Sequence, residues 1–431
     1  MKKYCMYICA LIISASVFAE APIEISLDDA LRMALQSDER IEIQERQVSI
    51  ASRDVGRAWT IVSPRLTLSG RYERPESEIR LGDQVLVPED SWSASITASQ
   101  PLFDGRVRSA YRAGRAEEAI AIHQLAHAIR NSLFDVTRSY YAVLSAEKQT
   151  EVAAQTLELT QSEVERAQAR FDAGEARRTE VLRAEVDAAR ARRALVAAEN
   201  AYDVARADLA RRIGLSADET FAAITPEWVP EAEFEDLPHL YAMALDLRSD
   251  LRAARLQIDS SREQETIIRR EAWPTLDLQF VHSFSDPDSV QNPNNSWTAA
   301  AVARFEFWDG GSRRISRLQQ SDRTDQATLR VRDLEKTIQL EVQQAILDLH
   351  NVRENLIALR KEVDLAEENF RTLSEQARVG LATSLDVSTA LNELDLARTE
   401  LARQEFDFEV AKQRVEQSVG RFARDLIEID E

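Results

Sequence analysis

Hydrophobic residues recur along this chain with two different periods, and the two alternate in a fixed order. In the second half, Ile338, Val342, Ala345, Leu349, Val352, Leu356, Leu359, Val363, Ala366, Phe370, Leu373 and Ala377 keep a strict 3-4 spacing. That spacing predicts the apolar seam of a left-handed coiled coil. The same register in the first half, Val143, Ala146, Thr150, Ala153, Leu157, Thr160, Val164, Ala167 and Phe171, predicts a weaker seam of smaller side chains. Neither Gly nor Pro occurs from Arg115 to Ala173 or from Ser312 to Val379, so each stretch reads as one helical arm. At ~1.5 Å per residue these arms are on the order of 90 to 100 Å long. Return arms, Glu175 to Ile213 and Leu381 to Val419, come to about 60 Å.

Ahead of each long arm the period falls to two. "LTLSGRY" places Leu66, Leu68, Gly70 and Tyr72 on one face, and "SWSASITAS" places Trp92, Ala94, Ile96 and Ala98 opposite Ser93, Ser95, Thr97 and Ser99. In the second half Leu276, Leu278, Phe280 and Phe284 share a face, and Trp297, Ala299, Ala301, Ala303, Phe305 and Phe307 oppose Thr298, Arg304 and Glu306. Strands with one apolar and one polar face follow. Each is about ten residues long with Trp or Tyr near an end, dimensions that suit either a half-buried hairpin or a strand crossing a bilayer. A helix of about 35 residues, ending at Pro64 or Pro274, precedes each strand pair.

This order is duplicated. "MALQSDERI" (Met33 to Ile41) matches "MALDLRSDL" (Met243 to Leu251) at an offset of 210, as do Pro64 and Pro274. Further on the offset settles near 206, where Gly174 meets Gly380, Val181 meets Val387 and Gly214 meets Gly420. The domains are therefore a first repeat over 20–214, a Pro-containing linker over 215–237, a second repeat over 238–420 and a tail over 421–431. Four strands per chain leave open edges that lipid does not tolerate, so copies would have to pool them, and three copies give twelve.

Residues 1–19 read as a secretory signal peptide, with Lys2 and Lys3 ahead of a short apolar core and small residues up to Ala19. Cleavage there removes Cys5 and Cys9, the only cysteines, and takes the formal charge from −20 to −22. That sign disfavours a nucleic-acid partner. No stretch after the signal is long and apolar enough for a spanning helix, which leaves a barrel of strands open. His123 and His127 have the spacing of a zinc helix but lack the catalytic Glu and a third ligand, and Ser285–Ser296 lacks a calcium-loop pattern. No phosphate loop, nucleophile elbow or carboxylate pair emerges, so neither an enzyme nor a cofactor is expected.

With "SLDDALRMAL", "SPRLTLSGRY", "SQPLFDGR", "RFDAGEARRTEV", "RRIGL", "WPTLDL", "FEFWDGG", "RVGLATSLDV" and "SVGR" in doubled order, the chain resembles the TolC-like outer-membrane efflux family over nearly all of its mature length. The resemblance implies a mainly α fold with membrane β: a homotrimer whose twelve-stranded barrel in outer-membrane lipid continues as a periplasmic helical tunnel. It implies an exit duct for a tripartite efflux pump or type I secretion system, working with a periplasmic adaptor and an inner-membrane transporter. Adaptor-contacting tips fall at Ala173, Gly174 and Glu175 and at Val379, Gly380 and Leu381, and the gate carboxylates at Glu180 and Asp386. Membrane strands fall on Leu66, Leu68, Tyr72, Trp92, Ile96, Leu276, Leu278, Phe280, Trp297 and Phe305. The family's usual ionic latch is largely missing, because its positions carry Ala377, Ala382 and Thr389 here. The alternative reading is a soluble periplasmic coiled-coil scaffold or adaptor.

Overall fold

The computed structural model describes residues 23–82, 84–216, 219, 221–225, 236–286 and 295–426. The predicted signal peptide, much of the predicted linker and residues 287–294 lie outside them. In each repeat two short helices lead into strands and then a long helical hairpin. The first repeat runs α1 (Leu27–Ser37), α2 (Glu39–Trp59), β2 (Arg65–Glu73), β5 (Ser91–Phe103), α3 (Val107–Asp172) and α4 (Arg178–Ile213). The second runs α5 (Leu237–Leu247), α6 (Ser249–Arg270), β7 (Thr275–Asp286), β8 (Asn295–Arg304), α7 (Ser312–Arg378) and α8 (Ser384–Val419). A small hairpin of β3 (Ile79–Leu81) and β4 (Gln84–Val87) interrupts the β2–β5 connection. β1 (Ile23–Ile25) pairs in parallel with β6 (Phe221–Ala223).

The long arms form as the seams predict. Every seam position from Ile338 to Ala377 is buried or half-buried, Ile338 and Val342 with Leu240, Leu251 and Val419, and Ala345, Leu349 and Leu356 with Phe408, Ala411 and Val415 of α8, whereas Phe171, at the end of the first seam, is exposed. One core joins the repeats: Phe134, Tyr140 and Tyr141 of α3 pack with Phe406 and Val410 of α8, and Phe422 meets Phe134 edge-on at 5.9 Å. Tyr140 donates to both Ile25 O (2.9 Å) and Ile224 O (2.6 Å), tying the β1–β6 pair to the bundle. Burial pushes its phenol up to about 12.

The helix before each strand pair is broken, not continuous. Asp38 takes extended backbone (ψ 110°) between α1 and α2, and its carboxylate caps α2 by accepting from Arg40 N–H at 2.9 Å. Arg248 takes the same conformation (ψ 119°) between α5 and α6. Each return helix ends in a left-handed glycine beside a break, Gly214 (φ 78°) against Ser37 and Gly420 (φ 89°) against Leu247 and Arg248. No Gly or Pro marks the breaks themselves, since the cap and the docked helix end make them.

The strands form one antiparallel sheet in the order β2-β5-β7-β8, so the two repeats are joined edge to edge through β5 and β7. Register places Leu66, Leu68 and Tyr72 opposite Ala98, Ile96 and Trp92, and Leu276, Leu278 and Phe280 opposite Ala303, Ala301 and Ala299. Those residues share one face, because directly opposed side chains project to the same side of a sheet. Ser69, Ser95 and Thr97 lie on the other, where Ser69 and Ser95 hydroxyls meet at 2.8 Å. β8 ends at Arg304, opposite Thr275, so Phe305 and Phe307 lie past the strand rather than in it. Pro274, just before Thr275, has no N–H to continue the ladder.

Candidate functional site at the hairpin tips

Both hairpins turn on the same backbone device. Glu175 N–H bonds Arg170 O (2.8 Å) and Gly174 N–H bonds Phe171 O (2.9 Å); Leu381 N–H bonds Gln376 O (2.9 Å) and Gly380 N–H bonds Ala377 O (3.3 Å). These are Schellman closures, which satisfy the last carbonyls of the arm and require a left-handed residue. Gly174 (φ 76°) and Gly380 (φ 78°) supply it, and open space around both shows that backbone conformation, not crowding, selects glycine. Their neighbours differ. Val379 and Leu381 leave an exposed apolar tip, whereas Ala173 and Glu175 do not.

Glu180 and Asp386 sit one turn into the return helices as reach-back caps. Asp386 accepts from the Thr383 hydroxyl (2.7 Å) and Thr383 N–H (2.8 Å), while Thr383 Oγ1 accepts from Asp386 N–H (3.3 Å). The Thr383 hydroxyl and then its N–H hold the Asp386 carboxyl below the usual carboxylate range. Glu180 accepts from Arg177 N–H at 3.4 Å, a looser version with no reciprocal bond, because Arg offers no acceptor. Arg178 lies 5.9 Å over the Phe171 ring and donates to Gln168 (3.4 Å), bracing the first tip from outside.

Between the hairpins, just above the tips, lies a groove of about 920 Å³ lined by Glu180, Arg183, Asp187, Ala377, Ser388 and Asp395 among others. Three hydrogen bonds cross it: Ser388 Oγ to Asp187 (2.6 Å), Thr156 Oγ1 to Asp395 (2.5 Å) and Arg166 to Ser374 Oγ (3.2 Å). Thr389 instead donates back to Leu385 O of its own helix (2.9 Å). Two hydroxyl–carboxylate bonds and one guanidinium–hydroxyl bond thus tie the hairpins to each other above the tips. Repeat comparison does not reveal them, because Asp395 and Ser388 answer to Ala189 and Leu182 at the 206 offset.

The family model described as "Outer membrane efflux protein" matches residues 30–215 and again 240–421. The chain belongs to the outer membrane efflux protein family. Among curated members, BepC of Brucella suis biovar 1, an outer membrane efflux protein, is 23% identical over 97% of this chain and 90% of its own. AprF of Pseudomonas aeruginosa, an alkaline protease secretion protein, is 23% identical over 91% of this chain and 83% of its own. The crystal structure of outer membrane protein VceC from Vibrio cholerae shares the fold, with a TM-score of 0.73 at 18% identity, covering 91% of this chain and 96% of that one. As a member of this efflux family the protein resides in the outer membrane, with its helical hairpins in the periplasm.

Proposed function

We propose that this chain is one subunit of a passive exit duct, in which three copies close a twelve-stranded barrel and six helical hairpins form a tunnel below it. The carrying observation is the four-stranded sheet. Its apolar face is exposed, and β2 and β8 each pair on one side only. Lipid would cover that face, the polar face would line the lumen, and β8 would pair with β2 of the next copy. A periplasmic scaffold or adaptor offers no use for an exposed apolar sheet. Reconstitution into planar bilayers should give discrete, cation-selective pores, as the acidic balance favours. A monomer that stays in solution and never inserts would refute it.

The tips, with Val379 and Leu381 most exposed, would meet a periplasmic adaptor and through it an inner-membrane transporter of an efflux pump or type I secretion system. Glu180 and Asp386 would ring the entrance with six carboxylates. Because both also cap helices, Glu180→Gln with Asp386→Asn is the informative variant: each keeps an acceptor for the cap and loses the charge. Block by multivalent cations should weaken while the fold persists. Unchanged block would leave these carboxylates with capping alone.

A further inference from the structure

The joint where α8 ends and α6 begins leaves a polar cavity of about 410 Å³ between α3 and α7. Arg130 and His127 of α3, Arg248 and Asp250 at the start of α6, and Glu341 of α7 line it. The two buried guanidiniums are not equally satisfied. Arg248 donates to both oxygens of Asp250, at 3.0 and 2.7 Å, and pairs with Glu341 as well. Arg130 is 7% exposed, yet its Nε meets no acceptor and its Nη1 reaches Ser249 Oγ at a long 3.5 Å. Among the described residues no carboxylate lies within ion-pair distance of it. A buried guanidinium with five N–H donors needs an anion or water to meet them. Burial accordingly pulls it below its ordinary pKa.

A second donor lies on the same wall, three residues away and so on the same face of α3. Asn131 Oδ1 accepts from Gln417 Nε2 (3.1 Å), which leaves Asn131 Nδ2 to donate to His127 Nε2 (2.9 Å). Burial holds the imidazole below its ordinary pKa, so it is neutral and its proton sits on Nδ1. We infer that the cavity holds a small monovalent anion, a halide or a carboxylate, against the Arg130 guanidinium, with His127 Nδ1–H as the second donor. Charge selects the class. Arg130 and Arg248 equal Asp250 and Glu341 in number, which disfavours a dianion. Asp250 is spent on Arg248, and the Glu341 side chain is 45% exposed and screened by water, so the charge left uncompensated at depth is the guanidinium. Every contributing residue belongs to one chain, so the site goes beyond the duct reading and does not depend on ring closure. At the 206 offset Arg130 and His127 answer to exposed Lys336 and Asp333, so the duplication does not repeat it.

The test is chloride NMR line broadening by the purified full chain in detergent, at constant ionic strength. Wild type should broaden the line more than Arg130→Met does, and His127→Phe should lose part of that excess. Equal broadening by wild type and Arg130→Met, with both chains helical by circular dichroism, overturns the site and leaves the cavity to water. Where Arg130→Met does not fold, anomalous scattering from wild-type crystals grown in bromide decides. A bromide peak beside the Arg130 guanidinium upholds the site, and water alone in the cavity overturns it. Added acetate distinguishes the sources: loss of the excess broadening assigns a carboxylate-accepting site, its persistence a halide site, and either result upholds the anion.

Discussion

The two helix breaks solve one problem with transposed charges. In the first repeat the acid sits at the break and the base two residues on: Asp38 and Arg40 pair at 2.9 Å, and Arg40 also reaches Asp135 on α3 at 3.0 Å. In the second the base sits at the break: Arg248 pairs with Asp250 at 2.7 Å and with Glu341 on α7. Asp135 and Glu341 are repeat counterparts, so the long arm contributes a carboxylate in both cases. What the fold requires at this point is thus a guanidinium between two carboxylates, not a particular residue at the bend. The arrangements are nevertheless unequal, since the Arg248 side chain is 11% exposed and that of Arg40 is 54% exposed.

That inequality predicts a ranked set of effects. Removing the buried guanidinium strands two carboxylates, so Arg248→Ala should destabilise the chain by roughly 3 kcal/mol, read from chemical denaturation. Gly214→Ala, which adds a Cβ overlapping Ser37 at a left-handed backbone position, should come next at about 2 kcal/mol in the same assay. Arg40→Ala, the exposed counterpart of the first change, should cost no more than about 1 kcal/mol. A cost equal to that of Arg248→Ala would erase the distinction between the breaks. The transposing pair Arg248→Asp with Asp250→Arg should recover most of what either single change loses; failure to do so would mean that burial at Arg248 demands its own order.

The smallest expected effect is a pH dependence on the first-repeat side. Burial raises the Asp208 carboxyl, but hydrogen bonds from Arg212, Arg211 and Ser139 outweigh it and bring it down to about 2. Because the folded value lies below the unfolded one, its stabilisation is present above pH ~4 and fades as pH falls towards ~2. Asp208→Asn should flatten the acid limb of the stability profile by well under about 1 kcal/mol, given the partial exposure of the group.

Much of the architecture is legible in the sequence, because long helices and alternating strands write their burial directly into residue spacing. The seam from Ile338 to Ala377 and the shared face of Leu66, Leu68 and Ile96 needed no tertiary information. Features made by tertiary contact were not legible. The breaks at Asp38 and Arg248 occupy helix-compatible residues and arise from capping and docked helix ends. The pairing of β5 with β7 across repeats has no local signal. At the tips, glycine announced the turns, while the ties made by Asp187 and Asp395 depend on hydroxyls that happen to face them. Glu180 and Asp386 are singled out by the family resemblance alone, and their capping bonds belong to the helix-start geometry.

The sheet joins the two repeats at one end of arms more than 60 residues long, and hydroxyl bonds join them near the other. Mechanically this is a lever clamped at the sheet and again at the shared core, whose last buried residue on α3 is Leu144. With a free arm of about 42 Å beyond it, a tilt of ~2° displaces the tip by roughly 1.5 Å, enough to pull a 2.6 Å hydrogen bond apart. Parting the two hairpins at their tips therefore demands little rearrangement where the arms are held, and only a few hydroxyl bonds resist it.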